Sequence, residues 1–191
     1  MSTILELRFH GRAGQGAKSI ADIFAEAALR EGKHILAFPE YGAARQGAPL
    51  RVFVKIDDEK VLDHSQIEHP DIAIVLDEDL IHSEDVLEGL KEKGTLIVNT
   101  HRTQKEFREV TGYKGRLVII NATDLAIKIM KAGRLANTAI LGALTKGQSL
   151  ISKNDLKELL KKDFTKRFPK DIVKKNLELF DAGYKESEVF Q

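Results

Sequence analysis

Residues 71–76 (DIAIVL) form a run that, once past Asp71, is apolar on both alternating faces. A strand with no polar face must be covered on both sides, which demands a sheet held between two layers of helices. The flanking segments supply the rest of such a sandwich. Residues 3–10 (TILELRFH) alternate apolar and polar side chains and predict a first strand. Residues 17–30 place Ile20, Ile23, Phe24, Ala27 and Ala28 on one helical face, and Gly32 is set to end that helix. A short second strand is predicted over 34–38 and a third over 49–56 (PLRVFVKI). Asp57, Asp58 and Glu59 then predict a turn into a short strand at 60–62, a hairpin that makes the sheet mixed.

Further along, a helix is predicted over 83–93, with Val86, Leu87 and Leu90 inward. Strands follow at 95–98 and 117–120, and helices at 123–131 and 135–145. Beyond Gly147 the chain turns helical and basic: Ser152 or Asn154 caps one helix, and Pro169 opens the last. The expected fold class is α/β, a three-layer Rossmann-like sandwich with a mixed, mostly parallel sheet and C-terminal helices. A single domain is expected over 1–191, with an α/β core at 1–147 and a basic helical extension at 148–191 packed on it.

Composition excludes several functions. The chain has 191 residues and no Cys, so it offers no thiolate for zinc or for an iron–sulfur cluster. If it serves an electron-transfer enzyme, the redox centre lies in another chain. No apolar run reaches membrane-spanning length, and the N-terminus enters a strand with no signal-peptide pattern, so neither a membrane nor export is expected and the expected location is the cytoplasm. A net charge of +1 argues against a nucleic-acid partner. The charge is uneven, however: residues 146–175 hold ten Lys or Arg against four Asp or Glu. That stretch is either a solvated helical face or a docking surface for an acidic partner.

Two glycine-rich segments, each following a predicted strand, carry the functional signal. The first, Gly11-Arg12-Ala13-Gly14-Gln15-Gly16-Ala17, reads G-x-x-G-x-G, which is neither the dinucleotide fingerprint nor a P-loop. Its glycines still permit positive φ and close approach to a ligand, and the helix starting near Ala17 aims unpaired N–H groups at the loop. Arg12 offers bidentate contact to a phosphate or carboxylate, and Gln15 a donor and an acceptor. The alternative is a tight strand-to-helix turn with no ligand. The second segment, residues 38–49 (FPEYGAARQGAP), combines Glu40, Tyr41, Gly42, Arg45 and Gly47 in a loop whose backbone can lie against another surface. Its alternative is an Arg–Glu pair that staples the loop. In an open α/β sheet both segments belong at the carboxyl ends of strands, where ligands bind.

Other polar residues weigh less. His64 and His69 lack the spacing of one helical face and are expected to be solvated. His10, beside Gly11, is expected to bond backbone. The acidic stretch Asp77–Asp79 is expected to cap the next helix, and Asn99, Thr100 and Asn121 to follow strands at the same edge. No residue is singled out as catalytic or as a metal ligand.

Together the two segments resemble the gamma subunit of the 2-oxoacid:ferredoxin oxidoreductases, and the FPEYGA…GAP form is most similar to the pyruvate branch, pyruvate synthase. Residues 136–143 (ANTAILGA) resemble the family's NT-x-x-LGA stretch, which adds Asn137 and Thr138 to the candidate site. Lys175-Asn176-Leu177 with Gly183-Tyr184 resembles its final helix. Gln46 and Ala44 depart from the Arg and Glu common there. The resemblance implies a chain inactive alone, working with alpha, beta and delta subunits and, through the complex, with ferredoxin. Thiamine diphosphate, magnesium and iron–sulfur clusters are then held by the partner subunits, and coenzyme A is the possible ligand at the glycine loops. Its expected task is to help position coenzyme A and to assemble the complex. The rivals are loops that form only a subunit interface, a related 2-oxoglutarate or other 2-oxoacid enzyme, and a stand-alone nucleotide-binding module.

Overall fold

The structure is a computed structural model that describes residues 5–41 and 47–191. Seven strands form one sheet: β1 (Leu5–Arg12), β2 (His34–Tyr41), β3 (Pro49–Asp57), β4 (Ile72–Val75), β5 (Thr95–Asn99), β6 (Arg116–Ile120) and β7 (Glu188–Phe190), in the order β2-β3-β1-β4-β5-β6-β7. The pairs β1–β4, β4–β5 and β5–β6 are parallel. Because β3 is antiparallel to both β1 and β2, β2 runs with β1; only β3 and β7 run against the other five. The sheet is mixed and mostly parallel in direction, as the sequence implies.

Seven helices cover it: α1 (Ala17–Arg30), α2 (Leu80–Ser83), α3 (Gln104–Thr111), α4 (Ala122–Met130), α5 (Asn137–Gly147), α6 (Lys153–Arg167) and α7 (Lys170–Glu186). The strict alternation of β4 decides the layering. Ile72 and Ile74 point into the core shared with α1, α4, α5, α6 and α7, whereas Ala73 and Val75 meet Leu80 of α2 and Phe107 of α3. Every residue of β4 is thereby buried, as an all-apolar strand requires. The last two helices belong to the larger core through Leu156, Leu160, Val173 and Phe180, and β7 adds an antiparallel edge to β6. Among the described residues no helix is long and apolar enough to cross a membrane.

The sequence reading needs correction in four places. Residues 60–62 form no strand, because both edges of β3 are already taken by β1 and β2. That segment is instead drawn over the sheet by the buried Lys55, whose Nζ reaches Asp63 Oδ2 at 2.6 Å and Ser65 Oγ at 3.2 Å. The hairpin is β2–β3, so β2 runs on to Tyr41 and puts Glu40 and Tyr41 on a strand rather than in a loop. Residues 84–93 are turns, not a helix. Gly89 has φ +70°, and the carbonyls of Val86 and Glu88, at 3.0 and 2.6 Å from Arg8 Nη2, accept from that buried guanidinium instead of from helical N–H groups. Finally, α3 and β7 were not anticipated.

Candidate functional site

The carboxyl ends of β1, β4, β5 and β6 open on one cleft of about 600 Å³, lined by Gln15, Asp77, Glu78, Asn99, Thr100, Asn121 and Arg134 among others. It lies beside the point where the chain's connections diverge, leftward from β1 to β2 and rightward from β4 to β5, the usual ligand position in such sheets.

The glycine loop after β1 is held by its own hydrogen bonds. Gly14 and Gly16 take φ +97° and +81°, which L side chains rarely adopt. Gln15 folds back so that its Oε1 accepts from Arg12 N at 2.7 Å. Its Nε2 donates to Asp77 Oδ2 at 3.1 Å, and Arg12 Nε donates to the same oxygen at 2.7 Å. One carboxylate from the end of β4 thus anchors both polar side chains of the loop. At Gly16 a Cβ would stand 2.4 Å from Asn137 Nδ2, so a side chain there would have to displace the Asn137 amide as well as take φ +81°. No side chain caps the N-terminus of α1, and its first turn carries no acid. The helix therefore supplies no side-chain anion of its own to its positive end; the carboxylate nearest in the network is Asp77, which is bonded to Arg12 and Gln15.

The second glycine segment meets the first directly. Ala13 N donates to Ala48 O at 2.9 Å and Gly47 N to Ala13 O at 3.2 Å, with Gly47 at φ +87°. Arg12 Nη1 is 3.4 Å from Gly47 O. Glu40 faces Arg51 across the β2–β3 ladder and pairs with its Nε at 2.7 Å, so the Arg that staples Glu40 is Arg51. Gly42 and Arg45 lie outside the described residues. Of the remaining candidates, Gly11, Arg12, Gly14, Gln15, Gly16, Gly47 and Asn137 come together at this edge. Thr138 does not join them: it is fully buried and donates to Asn176 Oδ1 at 3.0 Å between α5 and α7.

Residues given less weight in the sequence build the cleft wall. Asn99 donates to Leu76 O and Thr123 Oγ1 at 3.0 and 2.9 Å and accepts from Ala122 N at 2.9 Å, fixing the start of α4 against the end of β4. Thr100 donates to Glu78, which also faces His101 Nδ1 at 3.3 Å and Arg102 Nε at 3.5 Å. Arg134, exposed in a 3₁₀ turn at Gly133–Leu135, escaped the sequence reading; the Gly-Arg pair that it shares with Gly11-Arg12 is the signal that marks it.

Beneath the loop, His10 bonds a side chain rather than backbone. Arg8 Nε donates to His10 Nε2 at 3.0 Å, which requires a neutral ring protonated on Nδ1. Burial, reinforced by the charges of Arg8 and Arg51, holds its pKa down to about 3. His10 is therefore not the cation of this edge at neutral pH.

A family model described as pyruvate ferredoxin/flavodoxin oxidoreductase matches residues 6–186. The pyruvate synthase subunit PorC of Thermotoga maritima is 43% identical over 181 residues, 95% of this chain and 93% of that protein. The common gamma subunit of the pyruvate/ketoisovalerate oxidoreductases of Pyrococcus furiosus is 40% identical over 98% of this chain and 100% of its own length. The crystal structure of the Thermotoga maritima pyruvate oxidoreductase subunit PORC matches with a TM-score of 0.86 at 40% identity, covering 98% of this chain and 99% of that one. A 2-oxoglutarate:ferredoxin oxidoreductase from Magnetococcus marinus, solved with 2-oxoglutarate, coenzyme A and succinyl-CoA, shares the fold. Its TM-score is 0.76 at 24% identity, covering 95% of this chain and 30% of that one. With the family model spanning nearly the whole chain and relatives about as long and some 40% identical, this chain belongs to the pyruvate ferredoxin/flavodoxin oxidoreductase family, as a gamma-type subunit.

Proposed function

We propose that this subunit presents the carboxyl edge of its sheet to the catalytic subunits and there helps place coenzyme A. On this reading the enzyme as a whole interconverts a 2-oxoacid and coenzyme A with acyl-CoA and CO₂, exchanging electrons with ferredoxin; the names of the relatives support pyruvate as the 2-oxoacid. This chain has no Cys to hold a cluster, so the iron–sulfur clusters fall to partner subunits, to which the reading also gives thiamine diphosphate and magnesium. The complex works in the cytoplasm.

One observation carries the reading: the backbone pairing of Ala13 with Gly47 and Ala48, which fuses two glycine segments into a single rim at the ligand edge. The donors on that rim suit the coenzyme. Its diphosphate and ribose phosphate call for fixed N–H groups and cationic side chains, and the rim offers the start of α1 with Arg12 and, across the cleft, Arg134, while Arg45 lies two residues before Gly47 in the sequence. The subunit's contribution is positioning, which stabilises the reacting geometry without proton transfer.

A second reading is favoured by the Arg12–Asp77 pair, which commits that guanidinium to its own chain. Under it the rim is only a surface for a partner subunit. The reconstituted complex separates the two. In the first case Arg12→Ala and Arg45→Ala raise KM for coenzyme A in an intact assembly. If instead KM holds and the subunits no longer copurify, the rim is an interface alone.

A further inference from the structure

The corner where α6 meets α7 does not line the cleft; its Asp163 and Arg167 share a separate groove with Lys18, Ser19, Asp22 and Glu26 of α1. Lys161, Lys162 and Lys166 on α6, and Lys170 and Lys174 on α7, are exposed or nearly so and fall within two helical turns of the connecting residues. Three other cations of this region are engaged: Lys153 and Lys157 pair with Asp181, and Arg167 with Asp163. Among the described residues none of the five lysines has a carboxylate within ion-pair distance. At the apex stands Phe168, 42% exposed. It is not loose: its ring meets Phe164 edge-on at 5.3 Å, and the Arg167 guanidinium lies 5.2 and 5.5 Å from the two ring centres.

Helix physics accounts for half of this charge and not for the rest. Lysines at the end of α6 complement its dipole, but Lys170 opens α7, where positive charge opposes the dipole and Asp171 beside it offsets only that one charge. Lys162 with Lys166, and Lys170 with Lys174, are also like-charge pairs at i,i+4, which weaken a helix. Residues 161–174 thus hold six Lys or Arg against two acids, Asp163 and Asp171, a concentrated positive field at this corner.

We propose that this corner is a docking surface for a small acidic electron-carrier protein, the soluble partner of the complex. Permanent subunit interfaces are depleted in Lys and rich in apolar contact, whereas this surface has one pre-positioned aromatic ring amid flexible lysines. That composition suits a brief, electrostatically steered encounter of the size found among redox partners. The proposal rests on the family assignment and not on the coenzyme A reading.

The test uses the intact complex carrying Lys161→Glu, Lys166→Glu and Lys170→Glu, with purified ferredoxin from the same cells and, separately, methyl viologen as acceptor. The wild-type kcat/KM for ferredoxin is expected to fall as salt rises. The variant is expected to lose roughly tenfold or more at low salt, to show a flattened salt dependence, and to keep its methyl viologen activity. Lys→Ala at the same positions gives a smaller loss of the same pattern, and Phe168→Ala a loss that salt does not modulate. An unchanged ferredoxin kcat/KM and salt slope in the assembled variant overturns the proposal. So does loss of both activities with release of this subunit, which marks the corner as a subunit interface.

Discussion

Arg12 at the end of β1 and Asp77 just beyond β4 share one hydrogen-bonded ion pair of 2.7 Å, closed by Gln15 on the same carboxylate oxygen. The pair is partly exposed, at 31% and 19% of the two side chains, so solvent screens it. Removing either partner is expected to cost no more than about 1 kcal/mol, with a coupling of roughly 0.5–1 kcal/mol in the double-mutant cycle. The larger effect falls on the loop. Hydrogen exchange at residues 13–16 quickens in Asp77→Ala, because the carboxylate anchors the side chains of both Arg12 and Gln15 to the end of β4. Unchanged protection there shows that the backbone bonds of Ala13 and the Arg12–Gln15 bond hold the loop without the carboxylate.

That pair also marks where the sequence stops being readable. The glycine loop was legible, since positive φ at Gly14 and Gly16 is a local demand that the residue type announces. So was α1, whose bounds match its apolar period and its terminating Gly32. The partner of Arg12 lies 65 residues away and no local pattern names it. Arg8 misled more actively. In an alternating strand it reads as solvent-facing, yet it is 5% exposed, because carbonyls from Ile67, Glu68, Val86 and Glu88 converge on it. Those same bonds unmake the helix that Val86, Leu87 and Leu90 suggest. For α3 the signal was present and unused: Thr103 and Glu106 form a reciprocal capping box.

The crossing of α5 and α7 depends on two missing methyl groups. A Cβ on Gly142 would stand 2.3 Å from Phe180 O, and one on Gly183 would stand 2.1 Å from Ala139 O. Both obstacles are backbone, so neither can swing aside. Gly183→Ala is therefore expected to destabilise by roughly 1–3 kcal/mol net, even though alanine gains about 1 kcal/mol in helix propensity. Urea unfolding checks this: the midpoint falls while the slope stays constant. A neutral or stabilising result means that α7 can slide outward at no cost, and that Asn176 and Thr138 do not fix its register.

His10 makes stability depend on pH in a window set by its neighbours. Burial and the cations Arg8 and Arg51 hold its folded pKa to about 3, against an unfolded value near 6.5. Between those limits the unfolded chain takes up a proton that the folded chain refuses. Stability therefore falls as pH drops below about 6.5, by at most ~1.4 kcal/mol per pH unit. Down to pH 4 that is roughly 3 kcal/mol, an upper bound that ignores relaxation around the ring. Substituting His10→Gln keeps a neutral acceptor for Arg8 Nε but removes the titration, so the variant loses about one proton's worth of pH slope between pH 4 and 6.5. Paired urea titrations of both proteins cancel the contribution of the carboxylates. The ring's own NMR signal gives the independent reading: it stays unshifted down to pH 4, and a midpoint near 6.5 contradicts the buried, neutral, Arg8-bonded histidine on which the argument stands.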